Sequence, residues 1–167
     1  MIELNIPGRE TLIIKHLILD LNGTIALDGE IIEGVRQRLK MLSRQLDIVI
    51  TTADTTGRAV QIIEDMVEKK TDNERPFSVK LYRIEKEKED IQKLELVKKL
   101  GMIQTISIGN GSNDALMLKE SAIGICIIGK EGSAVEAVMS ADLLTFDIKD
   151  SLDLLMIPQR MVATLRK

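Results

Sequence analysis

The chain has 167 residues, 29% of them charged, with a formal net charge of −3 and no basic block. It is long enough to bury a real core in one domain, expected to span 1–167, and its charge excludes nucleic acid as the natural partner. Aromatic residues make up only 2% and Trp is absent, so Ile, Leu, Val, Ala and Met must build the core.

Ile2 to Ile6 alternates apolar and polar, Pro7-Gly8 signals a turn, and Leu12 to Leu19 is apolar again. The pattern predicts a hairpin over 1–16 leading into a first core strand. That strand stops abruptly at Asp20-Leu21-Asn22-Gly23-Thr24. A carboxylate delivered by a strand end, followed by a glycine that lets backbone N–H groups approach an anion, is what an aspartate-based phosphate site needs. Ala26 to Glu33 reads as a small flap, and Gly34 to Leu46 as a helix with Val35, Leu39, Leu42 and Leu46 on one face.

Ile48-Val49-Ile50 predicts a second buried strand ending at Thr51-Thr52-Ala53-Asp54. Thr55-Thr56-Gly57 then opens a helix to about Lys69, with Val60, Ile63 and Val67 inward. Thr71 to Pro76 is polar and loop-like. Phe77 to Ile84 reads as an edge strand, because Lys80 and Arg83 interrupt it. Glu85 to Leu100 predicts a helix closed by Gly101. Ile103 to Ile108 is the next strand, and Gly109-Asn110-Gly111-Ser112-Asn113-Asp114 opens a helix to Glu120.

Ile123 to Ile128 is a strand, Ser133 to Met139 a helix, Leu143 to Phe146 a short strand, and 150–156 and 159–166 are helices. Strands alternating with helices predict an α/β Rossmann-like three-layer sandwich around a mostly parallel sheet. In such folds function gathers at the carboxyl ends of the strands, where Asp20, Thr52 and Asn110 to Asp114 all fall.

Four ordered pieces, Asp20 to Thr24, Thr52 to Asp54, Lys93 and Gly109 to Asp114, resemble the haloacid dehalogenase superfamily of phosphotransferases. More narrowly, the stretch from Gly109 to Gly129, with Ala141-Asp142 beyond it, is similar to the soluble relatives of the P-type ATPase phosphorylation domain. The resemblance implies a Mg²⁺-dependent phosphohydrolase with Asp20 as nucleophile. Thr52 would donate its hydroxyl to the phosphoryl group, which would lie against Leu21, Gly23, Thr24 and Ala53. Lys93 and Asn113 would complete that pocket. Mg²⁺ would be held by Asp20, Asn22 through its carbonyl, Asn110 and Asp114. Lys80, Lys86, Lys88, Lys98 and Lys99 compete for the lysine role. Lys93 is preferred because Lys-x-x-x-Val97-x-x-Leu100 repeats the ATPase spacing.

Two positions depart from the pattern. Asn22 stands where phosphatases of the superfamily have the Asp that moves protons, and Asn110 where they have a metal-binding Asp. The changes remove two negative charges and predict weak metal binding and slow turnover. The alternative is a weakened phosphate-binding or phospho-switch module that needs a partner. Both asparagines precede glycine, the most favourable context for deamidation back to Asp.

Neither segment between the motifs has room for a cap domain, so the site is expected to be open. It would suit a phosphorylated substrate of unspecified identity, with a homo-oligomer able to cover it. Cys126, the single cysteine, excludes an internal disulfide and fits a buried thiol in a reducing compartment. Met1-Ile2-Glu3-Leu4 lacks a signal-peptide pattern and no run approaches the roughly 20 apolar residues of a membrane span. A cytoplasmic protein without a membrane partner is therefore expected. Gly129-Lys130-Glu131-Gly132-Ser133 reads as a turn into a helix, and His16 as structural.

Overall fold

Six strands form a wholly parallel central sheet: β3 (His16–Asp20), β6 (Asp47–Thr52), β7 (Val79–Arg83), β8 (Thr105–Gly109), β9 (Ile123–Ile127) and β10 (Leu143–Thr145). Their order is β10-β9-β8-β3-β6-β7. The computed structural model describes residues 1–53, 58–68 and 79–166, with the side chains of 58 and 65–68 outside that description. Asp54, the helix opening at Thr55 to Gly57, the inward placing of Val67, the loop from Thr71 to Pro76 and the strand start at Phe77 lie outside the described residues.

Residue alternation along β3 shows why the sheet is covered twice. Leu17 and Leu19 pack into one cluster with Val35, Leu39 and Leu152, while Ile18 faces the other way against Leu96, Val97 and Met117. The period of two thus assigns successive side chains to opposite helical layers. The first layer holds α1 (Val35–Leu42), α6 (Ile148–Met156) and α7 (Pro158–Leu165). The second holds α3 (Glu89–Leu100), α4 (Ala115–Glu120) and α5 (Val135–Ser140). The remaining helix, α2 (Arg58–Glu68), packs on β7.

The predicted N-terminal hairpin is β1 (Ile2–Leu4) paired antiparallel with β2 (Leu12–Ile14). Lys15 separates it from β3, so the hairpin ends at Ile14 and the core strand begins at His16. The flap is a two-strand ribbon, β4 (Ala26–Leu27) with β5 (Glu30–Ile31), too small to form a cap domain.

Several helices are shorter than the hydrophobic pattern predicts. α1 ends at Leu42, although Leu46 is still buried, because a turn rather than a helical step carries the chain there. On α2, Val60 is only half-buried and Ala59 takes the buried position. α3 starts at Glu89 rather than Glu85, since Glu87 and Lys88 adopt left-handed backbone (φ 70° and 83°) that no α-helix contains. The Gln92 side chain holds that entry by bonding both the N–H and the carbonyl of Glu85.

Two other features support the strand ends. Gly101 closes α3 as expected, with φ 101°. Ser107 and Ser121 both donate to the Met117 carbonyl, which satisfies polar groups inside the second layer.

Candidate active site

The carboxyl ends of β3, β6 and β8 bring four predicted groups into one region. Asp20 is the last residue of β3, and Thr52, buried, is the last of β6. Lys93 comes from the middle of α3 and is fully buried. Its Nζ donates to Asp20 Oδ1 at 2.7 Å and to Asp114 Oδ1 at 2.5 Å. Lys80, Lys86, Lys88, Lys98 and Lys99 all stand exposed, so of these lysines Lys93 is the one that reaches the aspartates.

Asp114 is wholly buried and bonded through both oxygens. Oδ1 accepts from Lys93, and Oδ2 accepts the backbone N–H groups of Asn110 and Gly111, each at 2.9 Å. It thereby closes the loop that follows β8. Gly109 is required for this closure: a Cβ there would stand 2.4 Å from the Asp114 carboxyl carbon. Two carboxylates share one ammonium, leaving a net single negative charge in a dry setting.

The electrostatics follow from that count. Burial first, and then the charge of Asp114, push the Asp20 carboxyl up to about 7 against the opposing pull of Lys93. Burial would lower Lys93, but its ion pairs with Asp20 and Asp114 win and hold it above its ordinary value. A cation beside Asp20 would relieve the excess charge.

The remaining predicted residues sit around this triad. Leu21 and Thr24 are buried, Gly23 takes φ 73° in the turn after Asp20, and Ala53 follows Thr52 half-buried. Asn22 is exposed at the mouth. Asn110 is buried, its Oδ1 accepting from Thr24 Oγ1 at 3.2 Å and its Nδ2 donating to the Gly132 carbonyl at 3.3 Å. Asn113 turns its amide toward Glu89 at the start of α3, at 2.5 Å.

The donor set fits a hard divalent cation. Oxygens of Asp20 and Asn110 and the carbonyl of Asn22 are ligands of the type Mg²⁺ takes. A Cβ on Gly23 would lie 2.6 Å from Asn110 Nδ2 and 3.0 Å from its Oδ1, so glycine keeps open a space that any other residue would fill. Among the described residues no three His, Cys, Asp or Glu side chains gather into a metal-holding group. Amide and carbonyl oxygens would therefore have to share the work with carboxylate.

Sequence reasoning missed three supports of this site. Glu89 holds Asn113, Ser133 Oγ donates to the Asn110 carbonyl at 2.9 Å, and Glu131 reaches Gly23 from the loop after β9. The last was visible in principle, because Gly129 to Ser133 directly follows an apolar strand and so had to sit at the functional end of the sheet. Beside Gly23 and Thr24 lies a cavity of about 150 Å³, walled largely by Leu27, Ile32, Ile127, Phe146 and Ile148.

The uncharacterized protein MJ0073 of Methanocaldococcus jannaschii is 41% identical over 97 residues, covering 58% of this chain and 98% of that protein. The chain belongs to the MJ0073 family. The uncharacterized protein MJ0072 of the same organism is 55% identical over 40 residues, 24% of this chain and 91% of that protein. No protein-family model matches the chain. Phospholipid-transporting ATPase ID of Homo sapiens is 45% identical over 51 residues, 30% of this chain but 4% of that protein. The narrower P-type resemblance is thus confined to a short segment.

Solved structures extend the likeness over the whole fold of this MJ0073-family member. A 3-deoxy-D-manno-octulosonate 8-phosphate phosphatase from Moraxella catarrhalis, in complex with magnesium ion, phosphate ion and KDO, superposes with a TM-score of 0.63 at 16% identity. The match covers 92% of this chain and 94% of that one. The cobalt-bound deoxy-D-mannose-octulosonate 8-phosphate phosphatase from Haemophilus influenzae gives 0.65 at 14% identity, with the same coverage. A phosphatase of the haloalkanoate (HAD) superfamily from Bacteroides thetaiotaomicron gives 0.57 at 13%, covering 91% and 96%. The fold is that of the haloacid dehalogenase superfamily. Among the described residues, no helix is long and apolar enough to cross a membrane.

Proposed function

We propose that the chain is a Mg²⁺-dependent phosphohydrolase that works through an aspartyl-phosphate on Asp20. The observation that carries the reading is the Asp20–Lys93–Asp114 ion triad, buried beside the carboxyl end of β3, in a fold shared with a phosphatase whose structure holds magnesium and phosphate ions. Bound Mg²⁺ would supply charge neutralisation for the phosphoryl oxygens and the attacking carboxylate, held by Asp20, the Asn22 carbonyl and Asn110.

The chain's own residues divide the rest of the work. An Asp20 oxygen attacks phosphorus as the bond to the leaving oxygen breaks, giving aspartyl-phosphate and a departing alkoxide or aryloxide. Lys93 steadies the carboxylate and draws charge from the phosphoryl oxygens, and Thr52 offers its hydroxyl to one of them. Asp114 acts through Lys93 and through the loop it closes, since both its oxygens are engaged. Asn22 cannot donate a proton to the leaving oxygen or take one from water, so solvent must do both. Water then attacks phosphorus, releases phosphate and a proton, and restores Asp20.

Asn22 also favours a second reading. With a leaving group that departs without a proton, the exposed Asn22 amide slows hydrolysis of the phospho-aspartate more than its formation, as a phospho-switch requires. The test is incubation with an acyl- or aryl-phosphate donor and Mg²⁺, following covalent label and released phosphate together. Turnover lost in Asp20→Asn supports the hydrolase, and stable label with little turnover supports the switch. Neither signal in the wild type would sink both.

A further inference from the structure

We propose that Glu131 is the carboxylate that completes divalent-cation binding in this chain, supplying the charge that asparagine at position 110 lacks. The inference rests on the reading of the Asp20 site given above.

The first support is placement. After β9 the chain makes a tight turn in which the Gly132 N–H bonds the Gly129 carbonyl at 2.9 Å, putting Lys130 and Glu131 at its corners. Gly132 has φ 79°, a backbone state that suits glycine and fixes the turn's shape. The turn is fastened to Asn110 by three hydrogen bonds. Asn110 Nδ2 donates to Gly132 O at 3.3 Å, while Ser133 Oγ and the Ala134 N–H both donate to the Asn110 carbonyl at 2.9 Å. Whatever position Asn110 takes at the strand end, the Glu131 backbone moves with it.

The second support is where the side chain goes. Glu131 Oε2 lies 2.6 Å from the point a Cβ on Gly23 would occupy, the same distance as Asn110 Nδ2. Asn110 and Glu131 therefore converge on one space beside the loop that follows the Asp20 nucleophile. Gly23 leaves that space free.

The third support is charge. Glu131 makes no hydrogen bond or ion pair with the described residues, so its charge is not spent on them. With both carboxylates ionised, as a bound cation would hold them, Asp20, Asp114 and Lys93 together carry one net negative charge. Adding Glu131 brings the site to two, the number that neutralises a divalent cation. Mg²⁺ sites in proteins commonly use one or two carboxylates with neutral oxygens and water filling the remaining positions. Asp20 and Glu131, with the oxygens of Asn110 and Asn22, make such a set.

The test measures Mg²⁺ binding directly, by calorimetry on the full chain and by the paramagnetic signal of Mn²⁺ as a substitute ion. Glu131→Gln is expected to weaken binding by about 10–100-fold, the range seen when groups that support a metal site are removed. Glu136→Gln, at an exposed carboxylate in the first turn of α5, controls for surface charge and should leave binding unchanged. Asn110→Asp in the Glu131→Gln background should restore affinity, because it returns a carboxylate to the same space. Circular dichroism on each variant reports folding independently of binding. Binding lost in Asp20→Asn yet unchanged in Glu131→Gln overturns the role of Glu131 and leaves the Asp20 site standing. No Mg²⁺ or Mn²⁺ binding by the wild type overturns both.

Discussion

The Lys93 ammonium lies 2.5 Å from the Asp114 carboxylate, and both side chains are shut away from solvent. Such a pair is held in place by its surroundings, and the cost of breaking it falls mainly on the partner left behind. Lys93→Met would strand Asp114 and deprive Asp20 of its counter-charge at once. A loss of about 3–5 kcal/mol in unfolding free energy is expected, as for other broken buried pairs. The double variant Lys93→Met/Asp114→Asn should be more stable than Lys93→Met alone, because the orphaned charge is gone. Urea unfolding of the single and double variants measures this, and a Lys93→Met protein as stable as wild type would refute it.

The sheet was legible in the sequence because β3, β6, β8 and β9 are short, buried, Ile-rich or Leu-rich segments, and β3 and β6 end in polar residues, as strands buried on both faces demand. Asp20 and Thr52 were placed for the same reason, since a strand end fixes a residue's location without any knowledge of its contacts. The start of α3 was not legible. Glu85 to Lys88 is helix-compatible in composition, and only the left-handed backbone at Glu87 and Lys88 excludes it. Glu131 was legible in part: its loop follows an apolar strand and so lies at the functional end of the sheet, but its approach to Gly23 arises across the sheet, and no local spacing encodes that.

His16 offers a pH test remote from the chemistry. It begins β3 largely buried, its Nδ1 3.4 Å from an Asp47 oxygen but without a hydrogen-bond partner. Burial outweighs the attraction of Asp47 and lowers the imidazole below 6.5, so the folded chain keeps it neutral. As pH falls through 6.5 the unfolded chain takes up a proton that the folded chain refuses, and stability declines until the lower folded value is passed. Above 6.5 the contribution is constant. Urea midpoints of wild type and His16→Gln across this window should converge or cross at the acid end, and parallel profiles would count against the assignment.

Deamidation at the two Asn-Gly pairs should be suppressed in the folded protein. The reaction needs the glycine nitrogen to attack the asparagine side chain. The Gly23 N–H is bonded to the Ala26 carbonyl at 2.8 Å and the Gly111 N–H to Asp114 at 2.9 Å. Both nitrogens are held away from attack, and Asn110 is buried besides. Peptide mass spectra of aged native protein should show unmodified Asn22 and Asn110, while the urea-unfolded chain accumulates Asp and isoaspartate at both. Equal rates in the two states would show that these hydrogen bonds give no protection.

Asn22 is the position where a single atom exchange should change the reaction most. Its side chain is exposed beyond the end of β3, so Asn22→Asp replaces an amide nitrogen by oxygen without disturbing the packed core. A carboxyl group there can protonate the departing oxygen and then take a proton from the attacking water, the two transfers that solvent otherwise supplies. Positioned acid–base groups contribute about 10²–10⁴-fold, and an increase of that order in kcat is expected for Asn22→Asp on an aryl phosphate with Mg²⁺. The increase should be smaller for a substrate whose leaving group departs readily without a proton. Burst kinetics separate the steps: a faster steady state with a smaller phospho-aspartate burst places the gain in hydrolysis. An unchanged kcat with intact folding would show that something other than proton transfer at position 22 limits turnover.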